Sequence, residues 1–167
     1  MSKAFKGEDA SEAPLVVPPR APLPAGETNY VTPAGHAALR VERERLVQER
    51  ARLEASPVDD DRTRALATLG VRLSALDERL SSAHEVDPRT QPHDEVRFGA
   101  TVTVRPGSGP ERRHRIVGVD EADAARGLVA FVSPLARALL GKRVGEVAVV
   151  RLPRGEEELE VLAIAYD

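Results

Sequence analysis

The chain has 167 residues with no Cys, no Trp, three Phe and two Tyr, so its core must be built from Leu, Val, Ile and Ala, and thiol chemistry is excluded. Its formal net charge of −3 argues against binding duplex nucleic acid through an overall positive field. No apolar run approaches the ~20 residues of a membrane span, and the N-terminus lacks the apolar region of a signal peptide, so we expect a cytoplasmic protein without membrane contact. We also expect a monomer.

Residues 1–28 are predicted to form a disordered or extended tail. Five prolines occur in this segment, and each fixes φ and lacks the N–H group that a helix needs. They are Pro14, Pro18, Pro19, Pro22 and Pro24. The mixture of Pro, Ala, Gly and charged residues has no hydrophobic period, which is typical of a segment that cannot bury enough apolar surface to fold alone.

Residues 29–86 are predicted to form an antiparallel coiled-coil hairpin. Thr32 is a good N-cap and Pro33 suits the first helical position, so the first helix begins there. Apolar anchors recur every seven residues in this helix and at three-then-four spacing in the next, which is the period of a coiled coil. The anchors are Leu39, Leu46 and Leu53, then Leu66, Leu69, Leu73, Leu76, Leu80 and Ala83. Two stripes joined by about six residues bury each other most simply as a hairpin.

The tip of this hairpin carries three consecutive carboxylates, Asp59, Asp60 and Asp61. The first helix ends at Ser56 because the following Pro57 disfavours helical geometry at the residue before it. The carboxylates then stand at the start of the second helix, where the helix dipole favours negative charge. Their oxygen atoms are also the ligands that Mg²⁺ prefers, so helix capping and metal binding both remain open from the residues alone.

Residues 87–95 are predicted to be a linker, and residues 96–167 a small α+β domain. Apolar residues alternate from Phe98 to Val104, as in a strand with one buried face. The predicted strands cover residues 96–104, 114–119, 128–132, 146–152 and 159–166. A short helix opens at Ser133-Pro134 and ends at Gly141. These elements predict a curved antiparallel sheet wrapped on the helix.

No enzyme motif appears in the sequence. The four histidines are scattered without metal-ligand spacing, and no serine lies in a nucleophile motif such as GxSxG. We therefore expect a protein that is not itself an enzyme.

Five segments resemble the GreA/GreB transcription elongation factors. They are TPAGHAAL at the start of the hairpin, VRFGATVTV, RRHRIVGVDEAD, SPLARALLGKRVGE and the terminal EVLAIAYD. The resemblance covers residues 29–167 and is nearest to GreB-type members. It implies an N-terminal coiled-coil hairpin followed by an FKBP-like C-terminal domain.

The resemblance also implies a partner. In the family, the C-terminal domain grips bacterial RNA polymerase at the rim of its secondary channel, and the hairpin enters the channel. Two carboxylates at the family's tip help to hold a second Mg²⁺ in the polymerase active site, where the 3′ end of backtracked RNA is cut. For this chain the resemblance implies no cofactor of its own, and at most a Mg²⁺ shared with the polymerase through Asp59, Asp60 and Asp61.

The tip departs from the family pattern, which resembles G-D-R-S-E-N-A-D-Y, with the first Asp and the Glu carrying the metal chemistry. Here Asp61 falls on that Asp and Arg64 falls on the Glu. A guanidinium cannot bind Mg²⁺. The hairpin is also shorter than in typical members by roughly seven residues in each helix, or ~10 Å of reach.

Two sets of residues are predicted to contact partners. The first lies at the start of the short helix, where the match to the family's polymerase-contacting segment is weighed against an ordinary Ser-Pro helix start. It consists of Ser133, Pro134, Leu135 and Arg137. The second is a group of arginines near the tip with few acidic neighbours, suited to RNA phosphates or an acidic channel wall. It consists of Arg50, Arg52, Arg62 and Arg64.

Three functions remain open on these grounds. The favoured hypothesis is a polymerase-binding factor that occupies the secondary channel and modulates elongation without cutting RNA. Rnk-type polymerase-binding proteins, which this chain also resembles, have a short coiled coil on a similar C-terminal domain and lack the cleavage tip. The alternatives are an active transcript-cleavage factor with a rebuilt acidic tip, and an interaction module unrelated to polymerase.

Overall fold

The computed structural model of the protein describes residues 15–167. Within them, a hairpin of two helices is followed by a five-stranded sheet and a short helix, which confirms the predicted α+β class. In chain order the elements are β1 (Asn29–Val31), α1 (Pro33–Glu54), α2 (Asp60–Ser81), β2 (Ala83–Glu85), β3 (Thr101–Pro106), β4 (Arg112–Val117), β5 (Leu128–Ala130), α3 (Pro134–Leu139), β6 (Val147–Leu152) and β7 (Gly155–Ala165). Short 3₁₀ turns cover Pro88–Thr90, Val119–Glu121 and Ala124–Arg126.

The hairpin forms for the reasons that the sequence indicates. Thr32 caps α1, and its side-chain oxygen accepts a hydrogen bond from the Gly35 N–H at 3.0 Å. Both helices have 22 residues. Their predicted apolar stripes meet in a core of Leu39, Leu46, Leu69, Leu73 and Leu76, joined by Val31 of β1 and flanked by the half-buried Leu53, Leu80 and Ala83. Leu66, also predicted for the stripe, is half-buried and lies outside this core. Because the helices supply so few buried residues, burial at each of these positions matters more than in a thick core.

A short parallel sheet closes the base of the hairpin, and the sequence did not predict it. Strand β1 precedes α1 and strand β2 follows α2, and they pair in parallel from Asn29 with Ala83 to Val31 with Glu85. The strand pair continues into a hydrogen bond from the Val86 N–H to the Val31 carbonyl at 2.9 Å. The two ends of the hairpin are therefore fixed to each other by backbone hydrogen bonds.

The C-terminal sheet has the strand order β5-β4-β3-β7-β6. The prediction of a purely antiparallel sheet is wrong in one place, because β4 and β5 pair in parallel. Between them the chain leaves the end of β4, passes through two 3₁₀ turns and re-enters beside it, which a tight hairpin turn cannot do. Buried residues of the sheet and of α3 form one core, including Val102, Ile116, Leu139, Val150 and Val161.

The first predicted strand is shorter than residues 96–104. Strand β3 begins only at Thr101, because the chain turns at Gly99, where φ is +87° and an added Cβ would meet the Pro88 ring at 2.7 Å. The predicted burial is nevertheless right, since Ala100, Val102 and Val104 are fully buried.

Residues 15–28 have no helix or strand, but they are not free of the rest of the molecule. Arg20, Leu23 and Glu27 contact the hairpin or the C-terminal domain. The disordered or extended tail over residues 1–28 stays a prediction. The first fourteen residues of the predicted tail lie outside the described residues. The boundaries at residues 28, 86 and 95 stay a prediction. In the described part of the chain, no helix combines the length and apolar character that crossing a membrane requires.

Candidate functional site

The tip of the hairpin is closed by its own hydrogen bonds. Asp59 is the N-cap of α2, and its carboxylate accepts a hydrogen bond from the Arg62 N–H at 2.7 Å. The Arg62 guanidinium reaches back across the tip and donates to the carbonyls of Leu53 at 2.7 Å and Glu54 at 3.0 Å. These carbonyls belong to the last turn of α1, and the Leu53 carbonyl also accepts from the Ser56 N–H at 3.1 Å and the Ser56 hydroxyl at 2.7 Å. Arg62 and Ser56 therefore cap the end of one helix together, while Asp59 caps the start of the next.

The three tip carboxylates do not converge on a common point. Asp60 and Asp61 occupy the first turn of α2, where successive side chains point about 100° apart around the helix axis. Within residues 15–167, no group of three or more His, Asp or Glu side chains is arranged to hold a metal ion. Asp59, Asp60 and Asp61 therefore do not fit a preformed Mg²⁺ site, and the predicted shared site depends on ligands from a partner.

The four arginines predicted to contact RNA or a channel wall differ in their availability. Arg62 is occupied at the tip, and Arg50 forms an ion pair with Glu54 at 2.9 Å. Arg52 and Arg64 are exposed and make no hydrogen bond or ion pair with other side chains in the described part of the chain. The structure thus leaves two of the four guanidinium groups available near the tip, and the predicted contact stays a prediction for them.

At the start of α3 the first turn is capped by a side chain, and two of the predicted contact residues are exposed. The Ser133 side chain accepts a hydrogen bond from the Ala136 N–H at 3.2 Å, and Pro134 occupies the first turn. Leu135 is half-buried against the domain core, whereas Pro134 and Arg137 are exposed. Arg137 donates to the Val132 carbonyl at 2.9 Å and pairs with Glu27 at 2.8 Å. Among the predicted contact residues of this helix, Pro134 and Arg137 therefore present the most surface to a partner.

The base of the hairpin has a polar junction that sequence reasoning missed. Glu121, in the 3₁₀ turn after β4, accepts hydrogen bonds from the Thr32 N–H at 3.1 Å and the Gly118 N–H at 3.0 Å, and another from the Thr32 hydroxyl. Its carboxylate lies at the N-terminus of α1, where the helix dipole favours a negative charge. Glu121 thus attaches the first helix of the hairpin to the C-terminal domain.

Gly35 makes room for this junction. A Cβ built on Gly35 would lie 2.1 Å from the Cδ atom of Glu121, which is far inside van der Waals contact. Any side chain at this position must push Glu121 away from Thr32. A helix-weakening glycine near the start of a helix is the signal that could have indicated a close approach from another element.

Three aromatic rings fill the same junction. The Tyr30 ring lies 5.7 Å from that of Phe98 and 5.6 Å from that of Phe131, and the two Phe rings are 5.7 Å apart. Tyr30 belongs to β1, whereas both Phe residues belong to the C-terminal domain. Tyr166 lies elsewhere, where its ring stacks on His93 at 5.0 Å and its hydroxyl donates to the Glu95 carbonyl at 2.6 Å. The rings therefore pack between the hairpin and the domain and do not gather around a common pocket.

Known proteins are similar in sequence to this chain over most of its length. Residues 91–166 match the sequence model of the family described as transcription elongation factor, GreA/GreB, C-term. The chain is 37% identical over 153 residues to transcription elongation factor GreB of Neisseria meningitidis serogroup A, covering 83% of this chain and 94% of that protein. It is 38% identical over 138 residues to transcription elongation factor GreA of Nitratiruptor sp., covering 77% and 83%. Among solved structures, the Gfh1 protein of Thermus thermophilus is 24% identical, with 83% of this chain and 99% of that chain covered and a TM-score of 0.38.

Proposed function

The chain belongs to the GreA/GreB family of transcription elongation factors, and from that premise we propose that it binds RNA polymerase without stimulating RNA cleavage. In this proposal the C-terminal domain docks at the secondary channel, and the short hairpin enters the channel and modulates elongation by occupying it. The observation that carries the proposal is the tip, where Asp59 is engaged as a helix cap and Arg64 stands where the family pattern has a metal-binding Glu.

The length of the hairpin supports the same proposal. Helix α1 has 22 residues, which corresponds to ~33 Å from end to end. The resemblance to the family implies helices about seven residues longer, so this tip stops ~10 Å nearer to the base. A carboxylate must lie within ~2.1 Å of Mg²⁺ to bind it. A tip that stops several ångströms short of the polymerase active site therefore cannot bind the ion there.

The arginine charges at the tip weaken its attraction for the second Mg²⁺ ion of the polymerase active site. Arg62 and Arg64 lie within the first turn and a half of α2, beside Asp60 and Asp61. Two guanidinium charges beside the three carboxylates of Asp59, Asp60 and Asp61 leave a single net negative charge to attract Mg²⁺. The exposed Arg52 and Arg64 suit a phosphate group, so contact with the RNA 3′ end belongs to the proposal as an electrostatic contact without metal.

A second candidate function is transcript cleavage through the acidic tip. It is favoured by one observation, namely that Asp60 and Asp61 are exposed and accept no hydrogen bond within the described residues. Because these two carboxylates diverge around the helix, such a site needs further Mg²⁺ ligands from the polymerase. In this case the shortened hairpin must also sit deeper in the channel than its relatives.

A cleavage assay separates the two functions. Polymerase is stalled in a backtracked complex with labelled RNA and Mg²⁺, and shortening of the RNA 3′ end is followed with and without the protein. We expect no cleavage above that of polymerase alone. Cleavage that disappears in Asp59→Ala/Asp60→Ala/Asp61→Ala but persists in Asp77→Ala, an exposed hairpin carboxylate far from the tip, would establish the second function.

Binding to polymerase is tested separately by co-purification and titration. We expect Arg137→Ala to weaken binding about tenfold, as for an exposed arginine at the centre of an interface. Arg143→Ala is the matched control, because Arg143 is also exposed in the same domain and forms an ion pair with Asp94 at 3.2 Å. No association with polymerase at all would leave only an interaction module with a different partner.

A further inference from the structure

The segment of residues 17–27, called here the strap, crosses the junction between the hairpin and the C-terminal domain. It has no helix or strand of its own. It nevertheless contacts α1, α2, the Val119–Glu121 turn and α3. These contacts join parts of the chain that are otherwise linked through Glu121 and the aromatic rings of the junction.

Arg20 is the central residue of the strap. Its guanidinium donates to both carboxylate oxygens of Glu42 on α1, at 2.8 and 3.0 Å. It also donates from Nε to the Asp120 carboxylate at 2.9 Å. Only 21% of the Arg20 side chain and 7% of the Asp120 side chain are exposed, so these charged hydrogen bonds are well shielded from solvent. Arg20 therefore links the first helix of the hairpin directly to the C-terminal domain.

Arg79 on α2 extends this link into a chain of four charges. Its Nη1 atom lies 3.2 Å from the second carboxylate oxygen of Asp120. Its Nη2 atom donates to the Ala21 carbonyl of the strap at 2.7 Å. The charges alternate in the order Glu42, Arg20, Asp120 and Arg79, and the network is neutral. It includes one residue from each of α1, the strap, the turn and α2.

The strap is also held at its other end. Leu23 packs against the core of the C-terminal domain, and Glu27 pairs with Arg137 of α3 at 2.8 Å. The pair with Arg137 is half-exposed and contributes little by itself. An open groove lies between residues 17–21 and the Val71 and Ala75 side of α2. Pro18, Pro19 and Ala21 are exposed, so the first part of the strap has little apolar packing. Arg20 is thus the main anchor of this part.

We propose that the strap fixes the direction of the hairpin relative to the C-terminal domain, with Arg20 as the positioning residue. Without the Arg20 guanidinium, Glu42 and Asp120 lose the counter-ion that they share. Asp120 then keeps Arg79 at 3.2 Å, whereas Glu42 keeps only the charges of Arg45 and Arg72, to which it makes no hydrogen bond in the described part of the chain. Partly buried carboxylates that lose their counter-ion repel each other and draw in water. The hairpin then samples a wider range of angles, while both its own core and the core of the C-terminal domain stay intact. This inference concerns the protein alone and is independent of the proposed polymerase function.

Distances between the two parts of the molecule test the proposal. The chain has no Cys, so Val58→Cys at the tip and Val149→Cys on the outer face of β6 give two defined sites for spin labels. Pulsed electron paramagnetic resonance then reports the distribution of tip-to-domain distances. We expect a narrow distribution with Arg20 present and a clearly broader or displaced one in Arg20→Gln.

Two further variants separate positioning from folding. Arg40→Gln is the matched control, because Arg40 is an exposed arginine of α1 without an ion pair in the described part of the chain, and its distribution should equal that of the parent. Arg20→Lys keeps the charge but cannot bind both carboxylates in the same fork geometry, so an intermediate width is expected. Helicity measured by circular dichroism should be equal in all four proteins. An unchanged distribution in Arg20→Gln overturns the proposal, and so does a broadening that comes with lost helicity.

Discussion

The base and the tip of the hairpin are stabilised in different ways. At the base, the Thr32 N–H donates a hydrogen bond to Glu121, 89 residues further along the chain. Arg20 donates to Glu42 and to Asp120, which lie 22 and 100 residues further along. At the tip, Asp59 and Arg62 bond only to groups within nine residues. The base therefore fixes a direction for the hairpin, whereas the tip merely ends two helices. A hairpin that is held at a fixed angle, and whose described residues form no preformed metal site, is suited to filling a channel in a partner protein.

The largest expected difference between base and tip concerns apolar burial. Leu76 is completely buried near the base, whereas Leu53 is half-buried near the tip. We expect Leu76→Ala to lower the free energy of unfolding by about 2–5 kcal/mol, because it leaves a cavity in a thin core. Leu53→Ala should cost clearly less, and chemical denaturation followed by circular dichroism measures both. Equal losses would mean that the tip is packed as tightly as the base.

Gly35 at the base and Gly70 in the middle of α2 differ in the space around them. An added Cβ at Gly35 meets the Glu121 side chain at 2.1 Å, so we expect Gly35→Ala to destabilise the protein by about 1–3 kcal/mol through overpacking. Gly70, in the middle of α2, has no heavy atom within 4 Å of its added Cβ. Gly70→Ala should therefore stabilise the protein by about 0.5–1 kcal/mol, since alanine favours helix. Thermal unfolding of the two variants compares them, and a stabilising Gly35→Ala would refute the close approach of Glu121.

The two helix caps provide a smaller contrast. Thr32→Ala removes both the cap of α1 and a partner of Glu121, so it should lower the free energy of unfolding by about 1–2 kcal/mol. Asp59→Ala removes an exposed cap at the tip, with an expected cost of about 0.5–1 kcal/mol. Equilibrium unfolding of the two single variants measures this order. A reversed order would show that Glu121 adds nothing to the Thr32 cap.

The smallest expected effect is a pH dependence at the base. The hydrogen bonds from Arg20 hold the pKa of the Glu42 carboxyl below its usual value of 4.5. A carboxyl with a lowered pKa stabilises the fold above pH 4.5, and this contribution is lost as the pH falls through the lower folded value. The difference in unfolding free energy between the parent and Glu42→Gln should thus be constant above pH 4.5 and shrink in acid.

Denaturant titrations between pH 3 and 7 measure this dependence, with Arg20→Gln as the reference background. In that background the Glu42→Gln substitution should lose most of its pH dependence, because the hydrogen bonds that lower the pKa are gone. A difference between parent and Glu42→Gln that grows as the pH falls would contradict the assigned role of Arg20.

The local features of the fold were predictable from the sequence. Thr32-Pro33 and Ser133-Pro134 set helix starts, and the leucine spacing gave the hairpin core. The parallel pair β1–β2 was not predictable, because each strand has three residues, too few for a period, and the whole hairpin lies between them. The parallel pairing of β5 was hidden for a similar reason, since short apolar runs do not show their direction.

The site was less predictable than the fold. Asp59 as a cap follows from its position before a helix, but its neighbours Asp60 and Asp61 look alike in sequence and play no part in capping. Arg62 gives no local sign that it closes the tip, because its acceptors are backbone carbonyls of the preceding helix. Arg20 and Glu121 lie in segments without periodicity, and their partners become neighbours only when the hairpin folds back onto the domain.

In our proposal the hairpin is directed by its base and occupies the polymerase channel without delivering a metal-binding tip. A competition assay tests this proposal. A backtracked polymerase is supplied with Mg²⁺ and a fixed amount of a cleavage-stimulating family member, and RNA shortening is measured as this protein is added. We expect cleavage to fall towards the level of polymerase alone as the protein occupies the channel. Cleavage that is unaffected, or that rises as the protein is added, would contradict it.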